Sequence, residues 1–113
     1  MATNVTSHEL IDFLIDSVEQ AIGPITSRKM FGGIGIWKDS VFLAMIDDGV
    51  LSIRLDEANE TEYVKRGFVP NDPSSAGKGR KRYYEVPADI LEDATLLEEW
   101  LERALDVAAS TDA

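Results

Sequence analysis

The run Val41-Phe42-Leu43-Ala44-Met45-Ile46 constrains the fold more than any other part of the chain. Polar turns bracket it, Asp39-Ser40 before and Asp47-Asp48-Gly49 after. A short apolar run held between turn signals suits a strand better than a helix. Successive strand side chains point to opposite faces, and here both sets are apolar: Val41, Leu43 and Met45 against Phe42, Ala44 and Ile46. Such a strand belongs in the centre of a sheet, with cover on both faces. Ile34–Lys38 leads into it through Asp39-Ser40. Val50–Leu55 follows it through Asp48-Gly49, where glycine accepts positive φ and aspartate tolerates it. In Val50–Leu55 the inward set is Leu51, Ile53 and Leu55, and Ser52 and Arg54 are expected to face water. An earlier strand over about Ile25–Phe31 completes an antiparallel meander.

Helices flank this region. Ser7–Ile22 carries Leu10, Phe13, Leu14, Val18, Ala21 and Ile22 at helical spacing, widened by Ile11 and Ile15 to an apolar arc of roughly 200°. Thr6 with Glu9 fits a capping box, and Gly23-Pro24 supplies the stop. An arc this wide predicts a deep seat in the core. Its alternative is a second contact, with another copy of the chain. A second helix is expected over Glu57–Arg66, with Asp56 as N-cap and Gly67 as C-cap. Pro70–Gly79 reads as a surface loop, Arg82–Val86 as a short edge strand, and Pro87 as the start of a helical turn. Asp93 caps a last helix over about Ala94–Ala109. Its stripe is Leu97, Trp100, Leu101, Ala104, Leu105 and Ala108, with Glu98, Glu99, Glu102, Arg103 and Asp106 on the outer side. Residues 1–6 and 110–113 are expected to fray. The order predicts one α+β domain over residues 1–113, its antiparallel sheet carrying the N- and C-terminal helices mainly on one face.

Composition removes several classes of function. The chain of 113 residues has no cysteine, so disulfides, thiolate zinc sites and cysteine nucleophiles are excluded together. His8 is the only histidine and has no partner set for a metal or a catalytic triad. No metal, no cofactor and no catalytic residues are expected. No apolar run approaches the roughly 20 residues that span a bilayer, and the first ten residues lack the pattern of a secretion signal. The expected compartment is the cytoplasm.

Two stretches stand out. Met30-Phe31-Gly32-Gly33-Ile34-Gly35 is glycine-rich, yet no helix follows it and no Gly-Lys-Ser/Thr completes a phosphate loop. A bulge or tight bend leading into a strand explains it better. Lys78, Arg80, Lys81 and Arg82 place four of the 11 basic residues beside Tyr83 and Tyr84. Basic side chains near flat rings suit an anion or a single-stranded nucleic acid. The competing reading is a solvated loop running into an edge strand, and the net charge of −10 favours it. Asp47-Asp48-Gly49 lacks the alternating oxygen ligands of a calcium loop and is explained by its turn. The run Glu98, Glu99, Glu102 and Asp106 reads as a solvated helix face.

The whole chain resembles the N-terminal domain of the TfoX/Sxy family of bacterial competence regulators. The resemblance rests on Arg28-Lys29-Met30-Phe31-Gly32-Gly33-Ile34-Gly35, on Asp48-Gly49 with the strand after it, and on Asp56-Glu57-Ala58-Asn59. It continues through Tyr83-Tyr84-Glu85-Val86-Pro87 and Leu91-Glu92-Asp93 into the helix that holds Trp100. It implies an α+β domain with an antiparallel sheet and supplies no catalytic residues. Longer members carry a second, helical domain and work with other transcription factors at competence promoters; this chain is expected to be the first domain alone. The leading expectation is therefore a small, non-enzymatic interaction module that meets a protein partner, with a transcription factor as the implied class. Homodimerisation is a further expectation. The alternative is nucleic-acid or anion binding through residues 78–82.

Duplex DNA is not an expected partner. Its binding depends on neutralising phosphates and releasing counterions, and 21 acidic residues give the molecule the wrong sign. Titration of a labelled duplex at about 150 mM salt should show no saturable binding. Saturation there, weakened by Arg80→Ala and Arg82→Ala, would make nucleic acid the leading reading.

Overall fold

A computed structural model describes residues 7–30, 33–71 and 82–111. Helix α1 spans Ser7–Ile22 and stops at Gly23, whose φ of +91° no side chain disfavours and whose N–H donates to the Glu19 carbonyl at 2.8 Å. Strands β1 (Thr26–Met30), β2 (Gly33–Lys38), β3 (Val41–Asp47) and β4 (Val50–Leu55) form the antiparallel meander. Both tight turns are left-handed at their two central residues, Asp39 and Ser40 in one and Asp48 and Gly49 in the other. That backbone matches the right-handed twist of the flanking strands.

After β4 the chain makes a 3₁₀ turn, Glu57–Asn59, and helix α2, Glu60–Arg66. Gly67 ends α2 at φ +115°, and Phe68 N–H reaches back to the Tyr63 carbonyl at 3.0 Å. Strand β5 is Val69–Asn71, β6 is Arg82–Glu85, and the short helix α3 is Ala88–Leu91. Helix α4, Ala94–Thr111, starts on Asp93, whose Oδ1 accepts the N–H groups of Thr95 at 3.0 Å and Leu96 at 3.1 Å. The sheet order is β1-β2-β3-β4-β6-β5, with every neighbouring pair antiparallel.

Helices α1 and α4 lie on one face of the sheet, α4 against β3 and β4 and α1 against α4. The core between them gathers Ile36, Ala44, Ile46, Leu51, Ile53, Leu55 and Tyr84 from the strands, with Leu14, Val18, Leu97, Leu101 and Ala104 from the helices. This is the α+β arrangement that the order of periodicities predicts. Strand β3 is interior, as its double apolarity requires, but the helices cover only one of its faces. The register shifts between Ile36 and Trp37, so Trp37 pairs with Phe42 while Ile36 pairs with Ala44. Leu43 is the extra residue of a β-bulge. Trp37, Phe42 and Met45 therefore share the second face and are only half-buried.

Several expectations need correction. Ser52 and Arg54 do not face water: they are 1% and 3% exposed. They lie on the second face of an interior strand, paired with Glu85 and Tyr83 of β6, and Ser52 Oγ accepts from Asn71 Nδ2 at 3.1 Å. Strand β6 is not an edge, because β5 pairs outside it. Residues 110 and 111 continue α4 instead of fraying. Asp56 makes no side-chain bond to the backbone of the turn it precedes. Phe13 stands 53% exposed, so the apolar arc of α1 is not wholly seated. Thr6 and the 72–79 part of the expected loop lie outside the described residues.

The glycine run works differently from the expected bend. Gly33 and Gly35 are not among the left-handed glycines and sit within β2. A β-carbon on Gly33 would stand 2.5 Å from the Ile46 carbonyl oxygen. One on Gly35 would meet Met30 Sδ at 2.6 Å, Phe42 Cε1 at 2.8 Å and Trp37 Cη2 at 2.9 Å. Their role is close approach, of backbone at one position and of three large side chains at the other. Gly33→Val and Gly35→Val should each lower stability by more than about 1 kcal/mol in urea titrations. Unchanged midpoints in both would show that the glycines are not structural and would revive the phosphate-loop reading.

Candidate functional site

Two regions collect the residues that carry chemistry. The first is the β1–β2 hairpin. Arg28, Lys29 and Met30 lie on β1, opposite Gly35, Ile34 and Gly33 of β2. Arg28 and Met30 therefore share the face that holds Trp37, while Lys29 points to the other face. The Arg28 guanidinium sits over the Trp37 ring, 5.8 Å from its centroid, and Trp37 packs on Phe42 at 4.9 Å. Thr26, Ser27, Arg28 and Lys29 are all exposed. Phe31 and Gly32, the middle of the motif, lie outside the described residues.

Sequence reasoning did not anticipate the second region. Tyr63 of α2 is fully buried at the centre of an aromatic cluster. Its ring meets Phe68 at 6.3 Å, Tyr84 at 5.5 Å and Trp100 at 5.8 Å, all edge-on. Edge contacts suit the ring quadrupoles and add to the burial of the rings themselves. The Tyr63 hydroxyl donates to Asp56 Oδ1, and Asn59 Nδ2 donates to Asp56 Oδ2 at 2.5 Å. Tyr84 donates to Glu60 Oε1 at 2.7 Å. Arg103 was expected on the outer side of α4. It folds inward instead, 5.0 Å from the Tyr63 centroid and 5.4 Å from that of Trp100, with Glu62 Oε2 at 3.5 Å from its Nη1. Its neighbours on α4, Glu98, Glu99, Glu102 and Asp106, are exposed as expected.

Electrostatics follow from this geometry. Burial pushes the Tyr63 phenol up to about 12, and the bond to Asp56 and the charge of that carboxylate push in the same direction. Burial acts to raise Asp56 as well. The bonds from Tyr63 and Asn59, together with the Arg103 charge, outweigh it and hold the carboxyl below its ordinary range. Beside the cluster, Asp56, Arg103, Asp106, Val107 and Ser110 line an open depression of about 400 Å³. Of the charged groups lining this open depression, Arg103 lies over two rings and Asp56 accepts from Tyr63 and Asn59. Among the described residues no group of three or more His, Cys, Asp and Glu side chains is placed to hold a metal ion.

The structure brings Met30 and Gly35 together with Trp37 and Phe42, and sets Gly33 against the Ile46 backbone. Lys78, Arg80 and Lys81 of the basic stretch lie outside the described residues. Arg82 is placed by its backbone alone, paired with Leu55 in β6. The family model of the TfoX N-terminal domain matches residues 17–108, from the middle of α1 to the last turns of α4. The chain belongs to that family. No curated protein matches it. In this TfoX N-terminal domain the glycine motif and the aromatic cluster both fall inside the matched range. No helix among the described residues is long and apolar enough to cross a membrane.

The Asp56–Tyr63 pair makes a pH prediction. Tyr63 holds its proton more tightly folded than unfolded, so its contribution is complete below its ordinary value of 10 and is lost as pH rises toward about 12. Urea midpoints measured from pH 8 to 11.5 should fall more steeply for the wild type than for Tyr63→Phe. Asp56 has the opposite sign: its contribution is present above its ordinary value of 3.8 and is lost as pH falls through the lowered folded value. Asp56→Asn should flatten the acid limb. Parallel curves for wild type and both variants would refute the coupling.

Proposed function

We propose that this TfoX N-terminal domain is a non-catalytic, cytoplasmic interaction module that acts by binding another protein, in the manner of a competence-regulator domain. The observation that carries the reading is the family match over residues 17–108. The surface supports it. Among the described residues the large exposed apolar side chains are Phe13, Val64 and Val69, set apart on α1, α2 and β5, and β1 carries two exposed bases on a molecule of net charge −10. The partner class that fits the family is a transcription factor. Self-association through the incompletely seated face of α1, around Phe13, is a second contact that the same surface supports. Nothing in the described residues favours the nucleic-acid alternative over this one, because three of its four bases lie outside them.

The reading is tested by crosslinking capture from native cells, followed by reconstitution of any captured complex from purified components. A saturable one-to-one complex between this domain and a purified protein is expected, without turnover of any substrate. Failure of every captured protein to bind once purified, or recovery of nucleic acid as the bound species, would overturn it.

A further inference from the structure

We propose that the β1 edge is the docking strand of this domain and that it takes an acidic, extended segment of a partner protein. The proposal rests on the interaction-module reading above and assigns a surface to it.

The sheet has two ends, and they are chemically unlike. At one end β5 has three residues, Val69–Asn71, and its middle residue Pro70 has no N–H to offer. Proline on an edge strand and a very short edge both discourage pairing. At the other end β1 has five residues, Thr26–Met30, with no proline and one neighbour, β2. Its first four residues are exposed, and no other strand among the described residues pairs with that edge. Its outward backbone groups can extend the sheet by one more strand, with main-chain bonds giving affinity and side chains giving selectivity.

The side chains select an acidic strand. Arg28 and Lys29 are adjacent, so they project from opposite faces of the edge. An incoming strand with two adjacent carboxylates meets both at once. Directly opposed charges of opposite sign stabilise a cross-strand pair, and like charges destabilise it. The domain carries −10 overall, so an acidic strand is drawn to it only where bases gather, and Arg28 and Lys29 gather on an open sheet edge. A second copy of the domain is the poorer occupant. An antiparallel β1–β1 pair centred on Arg28 sets guanidinium against guanidinium.

The test uses the full chain, ¹⁵N-labelled, and three probes. The first is a nine-residue synthetic peptide of alternating valine and threonine with a central Glu-Asp pair. The second replaces that pair with Lys-Lys. The third is a short single strand of oligothymidylate. The acidic peptide should slow amide exchange at alternate residues of Thr26–Met30 and should bind at least tenfold more tightly than the Lys-Lys peptide. The double variant R28E/K29E, changed at two exposed positions, should reverse that preference. The wild-type affinity should also fall as salt is raised, which needs no variant at all. Absence of β1 protection at millimolar acidic peptide, equal binding by R28E/K29E, tighter binding of the oligonucleotide, or a β1–β1 dimer in the free protein would each overturn the proposal. The bases would then serve only to keep sheet ends apart. A purified complex docked elsewhere on the domain would remove this assignment and leave the interaction-module reading standing.

Discussion

The approach of Gly33 to the Ile46 carbonyl decides how half of the sheet is built. At 2.5 Å from that oxygen there is no room for a β-carbon, so β2 can lie on β3 at this register only as glycine. Two residues on, Gly35 leaves the space that Met30, Trp37 and Phe42 fill from three strands. Strand β1 pairs with β2 alone, so whatever fixes β2 also fixes β1. The basic pair Arg28-Lys29 is held in an extended edge through two glycines that carry no charge and make no hydrogen-bonding side chain.

The other half of the sheet depends on a different interaction. Between β4 and β6 the chain leaves the sheet for α2 and returns through β5. Tyr63 ties that excursion down: its ring reaches Phe68, Tyr84 and Trp100, and its hydroxyl reaches back to Asp56 at the end of β4. One side chain thus links α2, β6 and α4. Arg103 closes the cluster with its guanidinium on two rings and its charge close enough to stabilise the Asp56 carboxylate. A hydrogen bond to a charged group is worth about 1.5–3 kcal/mol, and the part-buried place of this one sets it toward the lower end. That is enough to matter in a domain whose whole stability is of the order of 10 kcal/mol.

What the sequence revealed was local. The two left-handed turns were legible because Asp-Ser and Asp-Gly tolerate positive φ, and the helix stops because Gly23 and Gly67 do. The interior place of β3 was legible from apolarity on both alternations. What was misread depended on tertiary neighbours. Ser52 and Arg54 looked solvent-facing because polarity at alternate positions implies water, whereas here the alternate face is closed off around β4 and β6. Strand β5 left no signal, since three residues around a proline do not read as a strand. Arg103 looked like part of an acidic outer face. Only the position of Tyr63, 40 residues earlier in the chain, turns it inward. The fold class was legible from the order of elements; the close approach at Gly33 and Gly35 and the aromatic cluster were not, because both exist only once separate elements have met.

The two halves therefore end in opposite ways. At the β5 end, helix α2 lies next to the sheet edge, β5 is too short to recruit another strand, and Pro70 removes the N–H at its centre. At the β1 end neither device is present, and the close-packed glycines deliver a regular, untwinned edge to solvent. Edge strands left open invite pairing with whatever strand arrives, so they are tolerated only when charge restricts the arrivals. Arg28 and Lys29 impose that restriction on both faces at once. On a molecule of −10 they are also two adjacent bases that an acidic strand meets at an open edge. Geometry leaves a single sheet end open, and charge decides what that end accepts.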